Sequence, residues 1–208
     1  MANHEAIYRG TKAMQLREKR QIVVFGVGAI GSNLVDHLAR MGFGQIAVFD
    51  NDRVEKHNVH NQVYTKKQVG QLKVDALKAH VYNAVGVTIE TDSRLVSAEN
   101  IGRIAKKYPV DTIFVDAFDN EKSRMVLKEN LKDCLHVGLS DSYLECAWQD
   151  RYLVPQRPPG VDVCEYPQAR SIVVMSFMMA GEAICRFIEH GVRESNCFTL
   201  KDYKVSRY

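Results

Sequence analysis

Arg20 to Asp52, RQIVVFGVGAIGSNLVDHLARMGFGQIAVFDND, is the stretch from which the fold is read. Gln21 to Phe25 is a short β-branched run, too brief for a helix and suited to a buried parallel strand. It runs into Gly26-Val27-Gly28-Ala29-Ile30-Gly31, a G-x-G-x-x-G spacing. Ser32 to Met41 then carries apolar residues at Leu34, Val35, Leu38 and Met41, the rhythm of a helix. Each glycine has its own reason: Gly26 for a tight turn, Gly28 for approach of backbone to a phosphate, Gly31 for close packing of helix on strand. Backbone N–H groups at the helix start, aided by the helix dipole, face such a phosphate. Gly42-Phe43-Gly44 stops the helix, and Gln45 to Phe49 forms a second strand ending in Asp50, the acid expected roughly 20 residues on for a ribose hydroxyl. Strand, turn, helix and terminal acid together point to a nucleotide, without saying which one.

The chain has 208 residues, 46% hydrophobic and 25% charged, enough to bury an ordinary core. A net charge of +3 with scattered basic residues gives no argument for nucleic acid or a membrane surface. The run Arg17-Glu18-Lys19-Arg20 reads as a solvated face. Five cysteines without a close pair fit neither a disulfide framework nor a zinc site, so reduced thiols and a cytoplasmic location are expected. The first twenty residues lack an apolar core of signal-peptide length, and no run of about 18 uninterrupted apolar residues occurs. No internal repeat is present.

Residues 1–20 read as a polar, partly helical arm with Ala13, Leu16 and Ile7 on its apolar side. Arg9 is a candidate there, because a basic side chain on an arm can reach a phosphate of its own subunit or a partner's. The polar segment from Asp50 to Gln62 follows the second strand, at the carboxyl end where ligands bind in open α/β sheets. Asp50, Asp52, Asn58, Asn61 and Gln62 supply acceptors for sugar hydroxyls or a metal and donors for phosphate oxygens. His57 and His60 lack a third metal ligand at a credible spacing.

Gly70 to Val81 has apolar residues at Val74, Leu77 and Val81 and reads as an amphipathic helix. Lys73 lies in its first turn, where the dipole disfavours a cation unless an anion is near, so Lys73 is a candidate phosphate ligand; Lys78 reads as a surface lysine. Val87 to Glu90 is expected as a third strand, Asn100 to Lys107 as a helix, and Asp111 to Val115 as a fourth strand buried on both faces. That strand delivers Asp116-Ala117-Phe118-Asp119-Asn120, with Arg124 a helical turn on. A helix cap and a ligand site are compatible readings of it, with Asp119 as a magnesium-positioning acid. Leu135 to Leu139 reads as a fifth strand and Tyr143 to Val154 as antiparallel strand. Arg157 to Cys164 reads as loop. Ser171 to Ile188 is an almost wholly apolar helix, buried in the core or against a second subunit, with its methionines as packing residues. Ser195 to Tyr208 reads as a terminal strand or tail.

The fold class expected is α/β: a Rossmann-like, mostly parallel sheet with flanking helices, extended by a few antiparallel strands near the C-terminus. The expected organisation is one compact domain with an arm (1–20), a nucleotide-binding portion (21–140) and a C-terminal lobe (141–208) holding a loop cysteine and the buried helix.

The order and spacing of these motifs resemble the ThiF/MoeB-like adenylyltransferases, bacterial relatives of ubiquitin-activating enzymes, over roughly Arg17 to Gly191. The resemblance is carried by the glycine turn, Asp50-x-Asp52-x-Val54, Asn58-x-x-Asn61-Gln62, Gly70-x-x-Lys73, Asp116-x-x-Asp119-Asn120 with Arg124, and the late apolar helix with Glu182. It implies ATP- and magnesium-dependent activation, as an acyl adenylate, of the C-terminal glycine carboxylate of a small ubiquitin-like or sulfur-carrier protein, by a homodimer. By analogy Asp50 holds the ribose, Asn58 and Lys73 the phosphates, Asp119 (with Asn120 beside it) the magnesium, and Arg9 stands in for the arginine that the family's arm supplies across the dimer. An arginine of the family's N-x-x-R-Q is Asn61 here, and the family's C-x-x-C pairs are absent, so no structural zinc is expected.

Cys164 lies near where members that form a thioester or persulfide place their cysteine. It reads equally as an unreactive loop thiol or as a nucleophile activated by Arg157 or Arg170, opposed by Glu165. Cys134, Cys146 and Cys185 read as packing residues. Two other functions fit the same residues: an NAD-dependent oxidoreductase, which the glycine turn and Asp50 also suit, and a nucleotide-binding scaffold without turnover, which Asn61 in place of arginine favours. Asn58 to Lys73 counts against the oxidoreductase, since a triphosphate calls for several donors and a cation where NAD does not.

Overall fold

The computed structural model describes residues 4–155 and 168–207. One eight-stranded sheet runs through it: β1 (Gln21–Phe25), β2 (Gln45–Phe49), β3 (Glu90–Asp92), β4 (Ile113–Asp116), β5 (Leu135–Ser140), β6 (Tyr143–Trp148), β7 (Asn196–Thr199) and β8 (Lys204–Arg207). Their spatial order is β3-β2-β1-β4-β5-β6-β7-β8. The strands from β3 to β5 pair in parallel and those beyond β5 antiparallel. Chain order reverses direction between β1 and β4, which opens a crevice at their carboxyl ends.

Alternation along the two central strands builds the core. Ile22, Val24, Ile46 and Val48 face α3 (Ala29–Arg40), α4 (Lys73–Val85) and α7 (Arg170–His190). Val23, Phe25, Ala47 and Phe49 face α5 (Ala98–Lys107) and α6 (Glu121–Asn130). A strand buried on both faces must be apolar at every position, which is why QIVVF and QIAVF carry no internal polar residue. β1 and β2 coincide with the expected strands. β3 does not: it forms three residues later than the expected Val87 to Glu90, at Glu90–Asp92. Ile89 is buried just before the strand, plugging the core from a loop, and the polar Glu-Thr-Asp runs along the sheet edge, where only β2 pairs with it. β4 begins at Ile113, two residues after the expected Asp111, which is exposed in the preceding turn; within β4 every position is buried except the half-buried Phe114.

The amino-terminal segment forms α1 (His4–Arg9) and α2 (Thr11–Lys19). Arg17 is a correction to the solvated-face reading, since it is fully buried. Its guanidinium donates to Glu189 Oε1 at 2.6 and 3.0 Å, to Glu5 Oε2 at 2.8 Å and to the carbonyl of Met41 at 3.2 Å. These partners strap the two helices across α7. Ala13 is buried as expected, whereas Ile7 is largely exposed.

α7 is long and apolar enough to meet the length and composition of a membrane span. In this fold it packs against α3, β5 and β6, with Ile172, Val173, Ala180, Ile184 and Cys185 buried and Val174 and Met178 exposed. The residues after it form a β7–β8 hairpin.

Candidate functional site

The crevice is a cavity of about 650 Å³, within the range of small-molecule sites. Three strand ends feed it. β1 leads into the glycine turn, where Gly26 has φ +85° and a Cβ would lie 2.9 Å from the carbonyl oxygen of Ala117. A Cβ on Gly31 would fall 1.9 Å from the Gly26 carbonyl oxygen. A Cβ on Gly28 would meet nothing within 4 Å, so this face of the backbone is open to a ligand. The roles expected of the three glycines thus appear as turn, open approach and close packing.

β2 ends in Asp50, whose carboxylate accepts from the Val27 amide at 2.7 Å through Oδ2 and from the Asp52 amide at 2.8 Å through Oδ1. Burial raises its pKa, while Lys73 and these amides oppose the rise. Each oxygen keeps a lone pair for a ligand hydroxyl. Lys73 opens α4 and donates to Asp52 Oδ2 at 2.8 Å. Burial works against its charge, but Asp50, Asp52 and Asp119 outweigh it and hold the pKa above the ordinary lysine value. An ammonium has three donors, so two remain beside Asp52.

Asn58 is buried in a 3-10 turn, where its Oδ1 accepts from the Glu55 amide at 2.8 Å. Among the described residues its Nδ2 donors have no partner and are left to offer a ligand. Gln62 lines the cavity too, and its Oε1 is buried without a hydrogen-bond partner among the described residues. A buried orphan acceptor in a pocket wall suits a ligand that brings N–H or O–H groups. β4 leads to Ala117, Phe118, Asp119 and Asn120, all in the cavity wall. Asn120 caps α6 by accepting from the Ser123 amide at 2.9 Å, so cap and pocket wall coincide there as expected.

Two expected residues are placed differently. Asn61 lies in the wall, but its side chain donates to the Gln168 carbonyl at 3.1 Å, tying this segment to the start of α7. Arg9 is not in the cavity wall: it donates to Glu182 Oε2 at 2.5 Å and pairs with Glu5 and Glu189, within its own chain. Burial opposes its charge, and Glu182 more than compensates. Cys164, with Arg157 and Glu165, lies outside the described residues. His57 sits beside Glu55 at 3.5 Å. Among the described residues no group of three or more His, Cys, Asp or Glu side chains is arranged to hold a metal ion.

Sequence reasoning missed two features. Arg170 donates to the Asn61 carbonyl at 2.9 Å and to Asn33 Oδ1 at 3.0 Å, placing a guanidinium at the rim beside Asn61. The far wall is built by Gly138 and Ser140 from β5 and Tyr143 and Glu145 from β6, where the sequence carries strand patterning but no ligand signal. The buried cysteines agree with a packing role: burial pushes the thiols of Cys146 and Cys185 up to about 12.

The chain is similar to known proteins in sequence and fold. It is 32% identical over 124 residues to ubiquitin-like modifier-activating enzyme 5 of Aedes aegypti, covering 54% of this chain and 31% of that protein. It is 32% identical over 114 residues to adenylyltransferase and sulfurtransferase MOCS3 of Arabidopsis thaliana, covering 53% and 24%. The chain therefore spans about a third or less of the length of these curated relatives. In fold it is similar to E. coli MccB crystallised with ATP, with a TM-score of 0.77 at 15% identity, covering 99% of this chain and 69% of that one. The model of the ThiF family matches residues 5–202, nearly the whole sequence, and the chain belongs to that family.

Proposed function

We propose that this protein is an ATP-dependent adenylyltransferase that activates the C-terminal carboxylate of a small ubiquitin-like or sulfur-carrier protein as an acyl adenylate. The observation that carries the reading is the meeting of Gly28, Asp50, Asn58, Lys73 and Asp119 in one cavity at the carboxyl ends of β1, β2 and β4. Family membership and the relatives named ubiquitin-like modifier-activating enzyme and adenylyltransferase support it. In this reading Asp50 accepts from the ribose hydroxyls. The open backbone at Gly28, the Asn58 amide and the two remaining Lys73 donors hold the phosphates.

The reaction joins a carboxylate oxygen to the α-phosphorus and releases pyrophosphate. Two anions must meet, so cationic and N–H groups supply most of what is needed and no side-chain general base is required. Charge also supports magnesium. Among the described residues the cavity wall carries Asp50, Asp52, Glu55, Asp119, Glu121 and Glu145 against the cations Lys73 and Arg124. A triphosphate enters such a wall as the complex of a divalent cation, and Asp119 is the acid we assign to position it. Homodimerisation is part of the proposal, supported by the exposed Val174 and Met178 on α7.

Radiolabelled ATP–pyrophosphate exchange tests the reading: exchange that depends on a Gly-Gly-ended carrier supports it. Binding of ATP without exchange would favour a scaffold without turnover, a reading that Asn61 keeps open. Replacing Cys164 with Ala would then separate a covalent thiol route, in which exchange survives and transfer is lost, from release of a free adenylate.

A further inference from the structure

Behind the far wall of the cavity, Asp116, Arg124, His136, Gln149 and Tyr152 form one buried network. Its proton count follows from the hydrogen bonds. Gln149 Nε2 donates to the carbonyls of Lys128 at 2.7 Å and Leu131 at 3.1 Å, which fixes the amide with Oε1 towards His136 Nε2 at 2.6 Å. An amide oxygen only accepts, so Nε2 carries a proton. His136 Nδ1 lies 2.8 Å from Asp116 Oδ2. The Asp116 carboxyl also accepts from Arg124 Nη1 at 3.3 Å and from the Phe118 amide at 3.0 Å. With donors on both oxygens it acts as a carboxylate, and the second ring proton sits on Nδ1. His136 is then an imidazolium with no solvent exposure. The Tyr152 ring stacks on it at 3.9 Å, a face that suits a cation.

Arg124 is the network's link to the cavity. Its Nη1 donates to Tyr152 Oη at 3.0 Å and its Nη2 to the Val137 carbonyl at 2.8 Å, and its side chain lines the wall beside Gly138. A Cβ at Gly138 would lie 3.3 Å from Glu145 Oε1 and 3.5 Å from Arg124 Nη2, so both charges approach that point. Beside Asp116 alone, the guanidinium charge would be cancelled and little would remain to attract an incoming anion. One further positive charge on His136 leaves the Asp116, Arg124 and His136 set net positive. Burial pushes the Tyr152 hydroxyl up to about 12 and the Cys134 thiol well above its ordinary value, and Lys128 is turned to the carbonyl of Gln149.

We infer that His136 is a positioning residue: its ring charge offsets Asp116, so that Arg124 can receive a substrate carboxylate at the Gly138–Ser140 end of the cavity. The inference rests on the adenylation reading for the identity of the anion, but not for the protonation of the ring.

The test has two arms on the full chain. In nitrogen-15 NMR of the unaltered protein near neutral pH, both ring nitrogens of His136 should bear a proton. A single ring proton would overturn the inference. In the second arm the probe is acetyl-Gly-Gly, as its free acid and as its C-terminal amide, titrated without nucleotide against the unaltered protein and His136→Gln. The acid should bind about tenfold more weakly to the variant, the order expected for losing one nearby buried charge. The amide should bind both alike. Equal weakening of acid and amide would mean a merely structural role, and an acid that ignores the substitution or fails to bind the unaltered protein would overturn the carboxylate assignment. A doubly protonated His136 in a protein without ATP–pyrophosphate exchange would refute adenylation and leave the charge balance standing.

Discussion

Replacing Gly31 with Ala puts a methyl carbon 1.9 Å from the Gly26 carbonyl oxygen and 3.0 Å from its carbon. The obstacle is backbone, not the end of a flexible side chain, so relief requires the glycine turn or α3 to move by an ångström or so. Overpacking of this kind costs about 3 kcal/mol, the upper end of the usual range, and the better helix propensity of Ala returns up to about 1 kcal/mol. At roughly 2–4 °C per kcal/mol for a chain of this size, the melting temperature should fall by about 4–12 °C. Gly28→Ala is the matched control. Its Cβ meets nothing within 4 Å, so the fold should melt within about 2 °C of the unaltered protein. That methyl would occupy the space where phosphate approaches the backbone, and ATP affinity should fall at least about tenfold. Thermal unfolding by circular dichroism and ATP titration by calorimetry read the two effects separately. A Gly28→Ala protein that binds ATP normally would refute the phosphate role of the turn. A Gly31→Ala protein that melts with the unaltered chain would refute the close approach.

Lys73→Ala should lower ATP–pyrophosphate exchange by about 10²–10³ fold with little change in urea midpoint, since one charged donor to the phosphates is lost. Arg17→Ala should cost about 3–5 kcal/mol in urea unfolding, because Glu189, with a side chain only 9% exposed, is left without its buried partner. Asp36 gives a pH prediction. Burial pushes its carboxyl up, but hydrogen bonds from His80 and Arg40 outweigh this and hold it down to about 2. A lowered folded value means stability that is present above the ordinary carboxylate range near pH 4 and lost as pH falls through about 2. Asp36→Asn should therefore cost at most about 2 kcal/mol at pH 7, with the gap narrowing below pH 4 in acid titrations followed by circular dichroism. In timed alkylation with iodoacetamide, Cys134, Cys146 and Cys185 should remain unmodified in the native protein, as buried thiols with raised pKa values do; labelling of Cys146 or Cys185 at the rate of the half-exposed Cys197 would contradict their burial.

Sequence was most legible where local pattern and tertiary role coincide. QIVVF, the glycine turn and QIAVF each contain their own signal, and β1, β2 and the cavity floor stand where that signal put them. The edge strand was misplaced because Val87 and Ile89 are apolar for the sake of the core beneath a loop, while Glu90–Asp92 needs only one pairing partner. Arg17 was illegible for another reason. A run of four charged residues has the composition of a surface, and the partner that makes burial tolerable, Glu189, is 172 residues away. The same holds for His136. Between Leu135 and Val137 it reads as an interruption in a strand, and its partners Asp116 and Gln149 are supplied by β4 and by the turn after β6. Pairing across long sequence separations leaves no periodicity to read.

The most direct test of the proposed activity is ATP–pyrophosphate exchange with magnesium, measured with and without a small carrier ending in Gly-Gly, on the unaltered protein and Lys73→Ala. The account predicts exchange that requires the carrier and is lost in the variant. Exchange that persists in Lys73→Ala, or ATP that binds yet exchanges with no Gly-Gly-ended carrier, would contradict it.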